Sequence, residues 1–335
     1  MGTTTSAVLD PFPMLATSHS PPIPRWNIPE RELHKEYNIS YGPPLLIGFT
    51  RNWPILLQAV VSYITAGWPA EQIYVVENTG TQWANTRDKL TPQNPFYLNH
   101  TQLKKLGVNV IQSPVLLSFA QLQNFFIYIA HQRKWQYYFW SHMDVVVMSL
   151  EDGGGRHWYK AGSPGYATIY EQCLLELRKA QNTDSRWALR FFAYDALTLV
   201  NRDASDAIGG WDFHIPYYIT DCDAYQRFEM ENFTISAVPA GAIHDVNTVF
   251  TNLLAFYRDP SVEIDFIDPN PPPPGARNRK VATNHELRSI NGDLTPLEYW
   301  RKLKRERNTW QESQRGGQGE PYYYPAQGGQ VAFSL

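Results

Sequence analysis

The stretch YYFWSHMDVVVMS, residues 137–149, is apolar on both sides of one polar triplet, His142-Met143-Asp144. Hard divalent cations prefer carboxylate oxygen, so Asp144 can hold one. His142 is then a second ligand or a hydrogen-bond donor. A plain turn, capped by Asp144 with His142 as a satisfied polar group, accounts for the same residues. Further groups of the right kind recur along the chain. Glu77 closes the apolar run QIYVVE, where its carboxylate can accept hydrogen bonds from a nucleotide base or ribose, or simply sit solvated in a loop. Asp221 and Asp223 open the segment TDCDAYQRFEMEN. His244 stands beyond the apolar run TISAV, and imidazole is a competent further metal ligand. A core or loop histidine is the ordinary alternative.

These residues need a frame that brings them together, and the hydrophobic pattern supplies one. PPLLIGFT is a short strand, and WPILLQAVVSYITAG reads as a helix with Pro54 in its first turn. QIYVVEN and VNVIQ are the next strands. Residues 116–135 carry Leu122, Phe125, Phe126 and Ile129 at helical spacing, and YYFW follows as a fourth strand. A helix over 165–181, a strand ALTLVN, a GGWD turn, a short helix from Thr220 and a closing strand TISAVPAG complete the series. Strands alternating with helices predict an α/β fold, a mainly parallel sheet flanked by helices. In such a sheet ligands bind beyond the carboxyl ends of the strands, and both Glu77 and the His142 triplet fall at that edge. The expected layout is an N-terminal extension over 1–40, partly disordered, a single catalytic domain over 41–255, and a Pro-rich linker with a C-terminal helix and tail over 256–335.

Composition excludes several classes. A formal net charge of −3 offers no basic field for nucleic acid or an anionic membrane. Two cysteines are too few for a disulfide scaffold or a zinc cluster. No apolar run is long enough to span a bilayer, and the first residues lack the layout of a signal peptide. Three sequons, at Asn38, Asn99 and Asn232, suit a lumenal protein. The expectation is therefore the secretory pathway or Golgi lumen if an anchor precedes this sequence, and the cytoplasm otherwise.

The order of elements and motifs resembles that of the GT-A-fold glycosyltransferases, the Rossmann-like enzymes that use nucleotide sugars. The nearest likeness is to the inverting glycosyltransferase family 2 class, and to its fungal-type members. That family has an Asp-x-Asp triplet after its fourth strand, where this chain reads His142-Met143-Asp144. The family's Gly-Gly-aromatic-Asp is matched by Gly209-Gly210-Trp211-Asp212, and its Glu-Asp-x-Asp by Thr220-Asp221-Cys222-Asp223. Its late metal-site histidine is matched by His244. The likeness covers roughly residues 43–250, and His142 and Thr220 are the two departures.

The resemblance implies a metal-dependent transfer of a sugar from a nucleoside-diphosphate sugar to a hydroxyl on a glycan or small molecule. UDP-sugars are preferred over GDP-sugars, and no nucleic acid is involved. Mn²⁺ or Mg²⁺ is held by Asp144, His244 and His142, with nitrogen ligands favouring Mn²⁺. Asp221, at a helix start whose dipole favours its ionised form, is the general base. Thr50, Arg51, Glu77 and Asn124 contact the nucleotide side. Gly209 and Gly210 let backbone approach the donor sugar, and Trp211 stacks on a sugar face or serves as a core aromatic. The glycine-rich segment 150–165 is a candidate acceptor loop, and the run Arg301–Arg307 a cover for the diphosphate or a solvated helix face. Two other readings stand beside this one. The first is a non-catalytic nucleotide- or glycan-binding module of the same fold. The second is a nucleotidyltransferase, which would want glycines that GFTRNWP lacks.

Overall fold

A computed structural model describes residues 23–153, 158–215 and 219–246. The expected C-terminal linker, helix and tail lie outside the described residues. The described residues up to His214 and from Thr220 onwards belong to one compact unit.

The main sheet has seven strands in the order β3-β2-β1-β4-β7-β6-β8. They are β1 Leu45–Phe49, β2 Ile73–Glu77, β3 Asn109–Gln112, β4 Tyr137–Ser141, β6 Trp187–Phe191, β7 Leu197–Asn201 and β8 Thr234–Ala237. A separate two-stranded ribbon joins β5 Val145–Met148 to β9 Ala242–Asp245. β1 runs parallel to β2 and β4, β2 to β3, and β6 to β8; β7 runs antiparallel to both β4 and β6. The sheet is thus mostly parallel and α/β, as the alternating pattern predicts. Its antiparallel insert is a hairpin, β6–β7, of which the sequence reading found only the second strand.

Burial follows from this topology. Leu45, Leu46, Ile47 and Phe49 of β1 are fully buried, as are the side chains of β4, because helices cover both faces of the sheet centre. Pro54 sits in the first turn of the Trp53–Thr65 helix, where no backbone donor is lost. The Phe119–Arg133 helix starts at a capping box, Ser118 with Gln121, which satisfies two otherwise orphaned amides. This helix lies so close to β1 that a Cβ at Gly48 would come within 2.6 Å of Leu122 Cδ2. The glycine is the close-approach device that seats the helix. On the opposite face Trp68 is fully buried, with the rings of Tyr63, Phe139 and Tyr170 at 5.4, 5.2 and 5.1 Å.

Packing begins before β1. Asn27 is fully buried, donates to the Thr65 carbonyl and to Glu151 at 2.9 Å, and accepts from Tyr166 at 2.7 Å. Leu33 and Ile39 join the main core. Residues 23–40 of the expected extension are therefore part of the folded unit. Among the described residues no helix is long and apolar enough to cross a membrane.

Candidate active site

β1 and β4 are neighbours, although β2 and β3 come between them in sequence. The chain order reverses at this pair, and open α/β sheets bind ligands outside the carboxyl ends at such a point. Two predicted groups leave the sheet there. Thr50 and Arg51, both half-buried, follow β1, and His142-Met143-Asp144 follows β4. The β4 exit is pinned from two sides. The Tyr63 hydroxyl donates to Ser141 Oγ at 2.8 Å, and Ser141 Oγ lies 2.9 Å from the Ala196 carbonyl. The His142 amide donates to the same carbonyl at 3.3 Å.

That anchor brings in a residue the sequence reading missed. Asp195, in the turn between β6 and β7, puts a carboxylate oxygen 3.7 Å from His142 Nε2, while Asp144 lies 3.9 Å from His142 Nδ1. Burial alone would lower the imidazole pKa, but the facing carboxylates of Asp195 and Asp144 hold it up at about 9. Asp144 is raised above the usual carboxylate range, mainly by burial; His142 pulls it down and Asp195 pushes it up. Asp221 is raised for the same first reason, and again Asp195 adds to it. Asp195 is therefore in electrostatic reach of both Asp144 and Asp221, and the three carboxylates belong to one region. The signal for Asp195 was a lone acid inside the apolar run FFAYDALTLV, which only the hairpin turns towards the β4 exit.

An aromatic wall joins the two ends of this region. His142 stacks on Trp140 at 5.3 Å. Contact then runs from Trp140 to Phe119 at 5.9 Å, to Trp211 at 5.4 Å, and to Tyr225 at 6.0 Å. From Tyr225 it continues to Phe191 at 5.2 Å and Tyr194 at 5.6 Å, and the Tyr194 hydroxyl reaches Asp221 at 3.4 Å. Trp211 is only 6% exposed, so it serves as part of this wall rather than as an open stacking face.

The Gly-Gly-Trp loop is clamped from beneath. Asn124 donates to the Trp211 carbonyl and accepts from the Trp211 amide, both at 2.8 Å. Gly210 has φ +78, and a Cβ there would fall 2.6 Å from Asn124 Oδ1. Arg227 donates to the carbonyls of Ile208 and Gly210 at 2.6 and 2.7 Å and pairs with Asp223 at 2.7 Å. Asn124 and Asp223 thus position the loop and the Thr220–Met230 helix. Gly209, exposed with φ +75, remains at the surface of the turn.

Glu77 is placed differently from its expected role. Its side chain is fully buried and accepts from Asn85 and Gln112 at 2.8 Å, His100 at 3.0 Å and Thr79 at 3.2 Å. A carboxylate has about four lone-pair sites, so the protein's own donors fill it. Burial works against its charge, but those donors overcome it and hold its pKa below the usual range. The geometry makes it a clasp on the β2 exit rather than a free nucleotide contact.

The fit of a divalent cation can be judged from the donors present. Asp144 suits one, because a carboxylate whose charge is opposed by burial and by Asp195 gains from a neighbouring cation. His142 stands between Asp144 and Asp195, with ring nitrogens 3.9 and 3.7 Å from their carboxylates, and it could give a lone pair to a metal only as the neutral imidazole. The β5–β9 register sets His244 opposite Val146, while the Val246 amide donates to the Asp144 carbonyl at 2.7 Å. His244 and Asp144 therefore occupy diagonal positions on the ribbon. Among the described residues no three His, Cys, Asp or Glu side chains converge in metal-holding geometry. Asp144 is the donor that fits, in the sparse manner of a cation held by one or two carboxylates plus substrate phosphates.

The fold and site together define an α/β protein with three neighbouring carboxylates, Asp144, Asp195 and Asp221, close to a topological switch point. No family model matches the sequence, and no curated protein matches it. Among solved structures the chain is similar to a mannosyltransferase from Pyrobaculum calidifontis in complex with GDP-Man and Mn²⁺. The identity is 10% and the TM-score 0.38, over 62% of this chain and 60% of that one. It is also similar to a cytidylyltransferase from Leptospira borgpetersenii serovar Hardjo-bovis, at 12% identity and TM-score 0.32, over 59% and 76% of the two chains. The chain spans about 60% of the mannosyltransferase's length, and likenesses of this size assign no activity.

Proposed function

We propose that the protein is an inverting, nucleotide-sugar-dependent glycosyltransferase whose catalytic domain spans residues 41–255. The observation that carries this reading is the continuous aromatic wall with Asp144 at one end and Asp221 at the other, and Asp195 in reach of both. Such an arrangement separates a place for a leaving diphosphate from a place for a proton acceptor. In the reaction the acceptor oxygen bonds to the anomeric carbon, and the bond from that carbon to the phosphate oxygen breaks. The electron pair leaves on the nucleoside diphosphate, and the hydroxyl proton passes to Asp221.

Asp221 suits the base role because burial, with Asp195 adding to it, raises its pKa, which strengthens its carboxylate as a proton acceptor. Thr50 and Arg51 stand where a nucleotide would enter from the β1 exit. Asn124, Gly209, Gly210 and Trp211 shape the floor beneath the sugar. His142 orients Asp195. Asp144, with His244 at the diagonal position, is the group that would hold Mn²⁺ or Mg²⁺, and a bound cation would neutralise charge growing on the diphosphate.

The test is a panel of UDP- and GDP-sugars with Mn²⁺ and mixed hydroxyl acceptors, following release of nucleoside diphosphate. Turnover should vanish in Asp221→Ala while nucleotide affinity persists. In Asp144→Asn the Mn²⁺-dependent part of nucleotide affinity should disappear. Nucleotide binding without turnover for any donor would replace the transferase with a binding module.

A further inference from the structure

One corner of the site holds two tyrosines that the chemistry above leaves unused. Tyr194 is held in the left-handed region at φ +47, where a bulky aromatic is rare and persists only when its surroundings enforce it. The cost is borne by a residue that remains 47% exposed at the end of the wall, so core packing does not repay it. What the strained backbone achieves is orientation: the hydroxyl lies 3.4 Å from Asp221 while nearly half of the residue stays exposed.

Tyr225 is the second. It follows Asp221 by four residues on the Thr220–Met230 helix, so the two share a helix face. Its ring packs between Trp211 and Phe191, and its hydroxyl is buried with no hydrogen-bond partner among the described residues. A buried, unpaired hydroxyl is a cost to the free protein, and it calls for a partner that arrives later. Asp195, Tyr194 and Asp221 are its charged and polar neighbours, which places it in the same corner.

We propose that Tyr194 and Tyr225 form the acceptor subsite and that the acceptor is a carbohydrate ring. The exposed Tyr194 ring stacks on the C–H face of the sugar. The Tyr225 hydroxyl gains its missing partner from a ring hydroxyl. A neighbouring hydroxyl is thereby presented to Asp221. Flat aromatic surface beside fixed polar groups selects a polyhydroxylated ring over a simple alcohol, because both kinds of contact are used only by a ligand with an apolar face and a polar rim.

This inference rests on the transferase reading for its chemistry, but its test does not. The full chain is titrated, without nucleotide, with the methyl glycosides of glucose, galactose, mannose and N-acetylglucosamine and with their disaccharides. Binding is read by saturation-transfer NMR and calorimetry for wild type, Tyr194→Ala, Tyr194→Phe and Tyr225→Phe. Tyr194→Ala should weaken binding at least about tenfold, the scale of a lost stacking contact, and Tyr194→Phe should stay within about threefold because the ring is kept. Tyr225→Phe should weaken binding about five- to tenfold, the scale of one hydrogen bond, while leaving the melting temperature unchanged or raised, because no bond is lost in the free protein.

Nucleoside-diphosphate release is measured on the same variants. Carbohydrate binding that depends on both tyrosines but never leads to turnover keeps the subsite and removes the transferase. Turnover in which all three variants keep wild-type carbohydrate affinity and acceptor KM keeps the transferase and overturns the subsite. Failure of every saccharide to bind wild type overturns the subsite as well.

Discussion

Glu77→Ala offers the clearest test of how this chain uses its carboxylates. The side chain is fully buried and holds four donors. Removing it strands them unequally. His100 is 24% exposed and can turn to water, and Gln112 lies at the exposed edge. Asn85 and Thr79 are both 3% exposed and cannot. Two stranded buried donors cost about 1–3 kcal/mol each, and deletion of one partner from a buried charged cluster costs about 3–5 kcal/mol. Taking about 4 kcal/mol, and about 2–4 °C per kcal/mol for a domain of this size, the melting temperature should fall by about 8–16 °C. The loss should also depend on pH. The folded-state pKa of Glu77 is depressed, so its contribution is present above the unfolded value of about 4.3 and is lost as pH falls towards the folded value. Calorimetry of both proteins at pH 7 and in steps below pH 4 measures the gap and its narrowing. A free nucleotide contact would behave differently, leaving the melting temperature of the ligand-free protein unchanged. A shift below about 3 °C at pH 7, or a gap that stays constant on acidification, would refute the clasp.

The Asn124 clamp should fail in either partner: Gly210→Ala and Asn124→Ala should each cost about 1–3 kcal/mol in urea unfolding, and the double variant should cost less than their sum. Additive losses would mean the two residues act separately. The charge of Asp195 raises Asp221, so Asp195→Asn should move the acidic limb of kcat/KM to lower pH, and an unmoved limb would place the base elsewhere.

What could be read from the sequence was whatever local pattern dictates. Both faces of β1 and β4 are buried, so LLIGF and YYFW appear as unbroken apolar runs, and the long helices announce themselves through Pro54 and the Ser118–Gln121 box. The triplet at 142–144 was visible because a histidine and an acid interrupt such a run. Asp195 also interrupts an apolar run, FFAYDALTLV, but nothing local says which strand exit it faces. Its meaning comes from a hairpin whose first strand, WALRF, is short and carries an arginine, and from a carbonyl at Ala196 that accepts from the His142 amide. Glu77 misled for the complementary reason. Its place at a strand exit is correct, yet the four donors that consume it come from residues 79, 85, 100 and 112, spread over loops without periodicity.

The two kinds of carboxylate should therefore respond to neutralisation with opposite signs. Glu77 is depressed by donors and stabilises the fold in its charged form. Asp221 is raised by burial and by Asp195, so its ionisation is a cost the fold carries. For an acid whose folded pKa is raised, that cost is absent at low pH and appears as pH rises through the folded value. Asp221→Asn keeps the shape, removes the charge and retains an acceptor oxygen for the Tyr194 hydroxyl. At pH 7 its melting temperature should rise slightly, by the equivalent of up to about 1 kcal/mol for a partly exposed charge, and the gain should shrink on acidification. Turnover should fall in the same variant, since the base is gone. Such an exchange of stability for activity is what a residue kept for chemistry gives, and a residue kept for packing does not. A fall in melting temperature with Asp221→Asn, like that expected for Glu77→Ala, would make Asp221 a structural cap and leave the site without its proton acceptor.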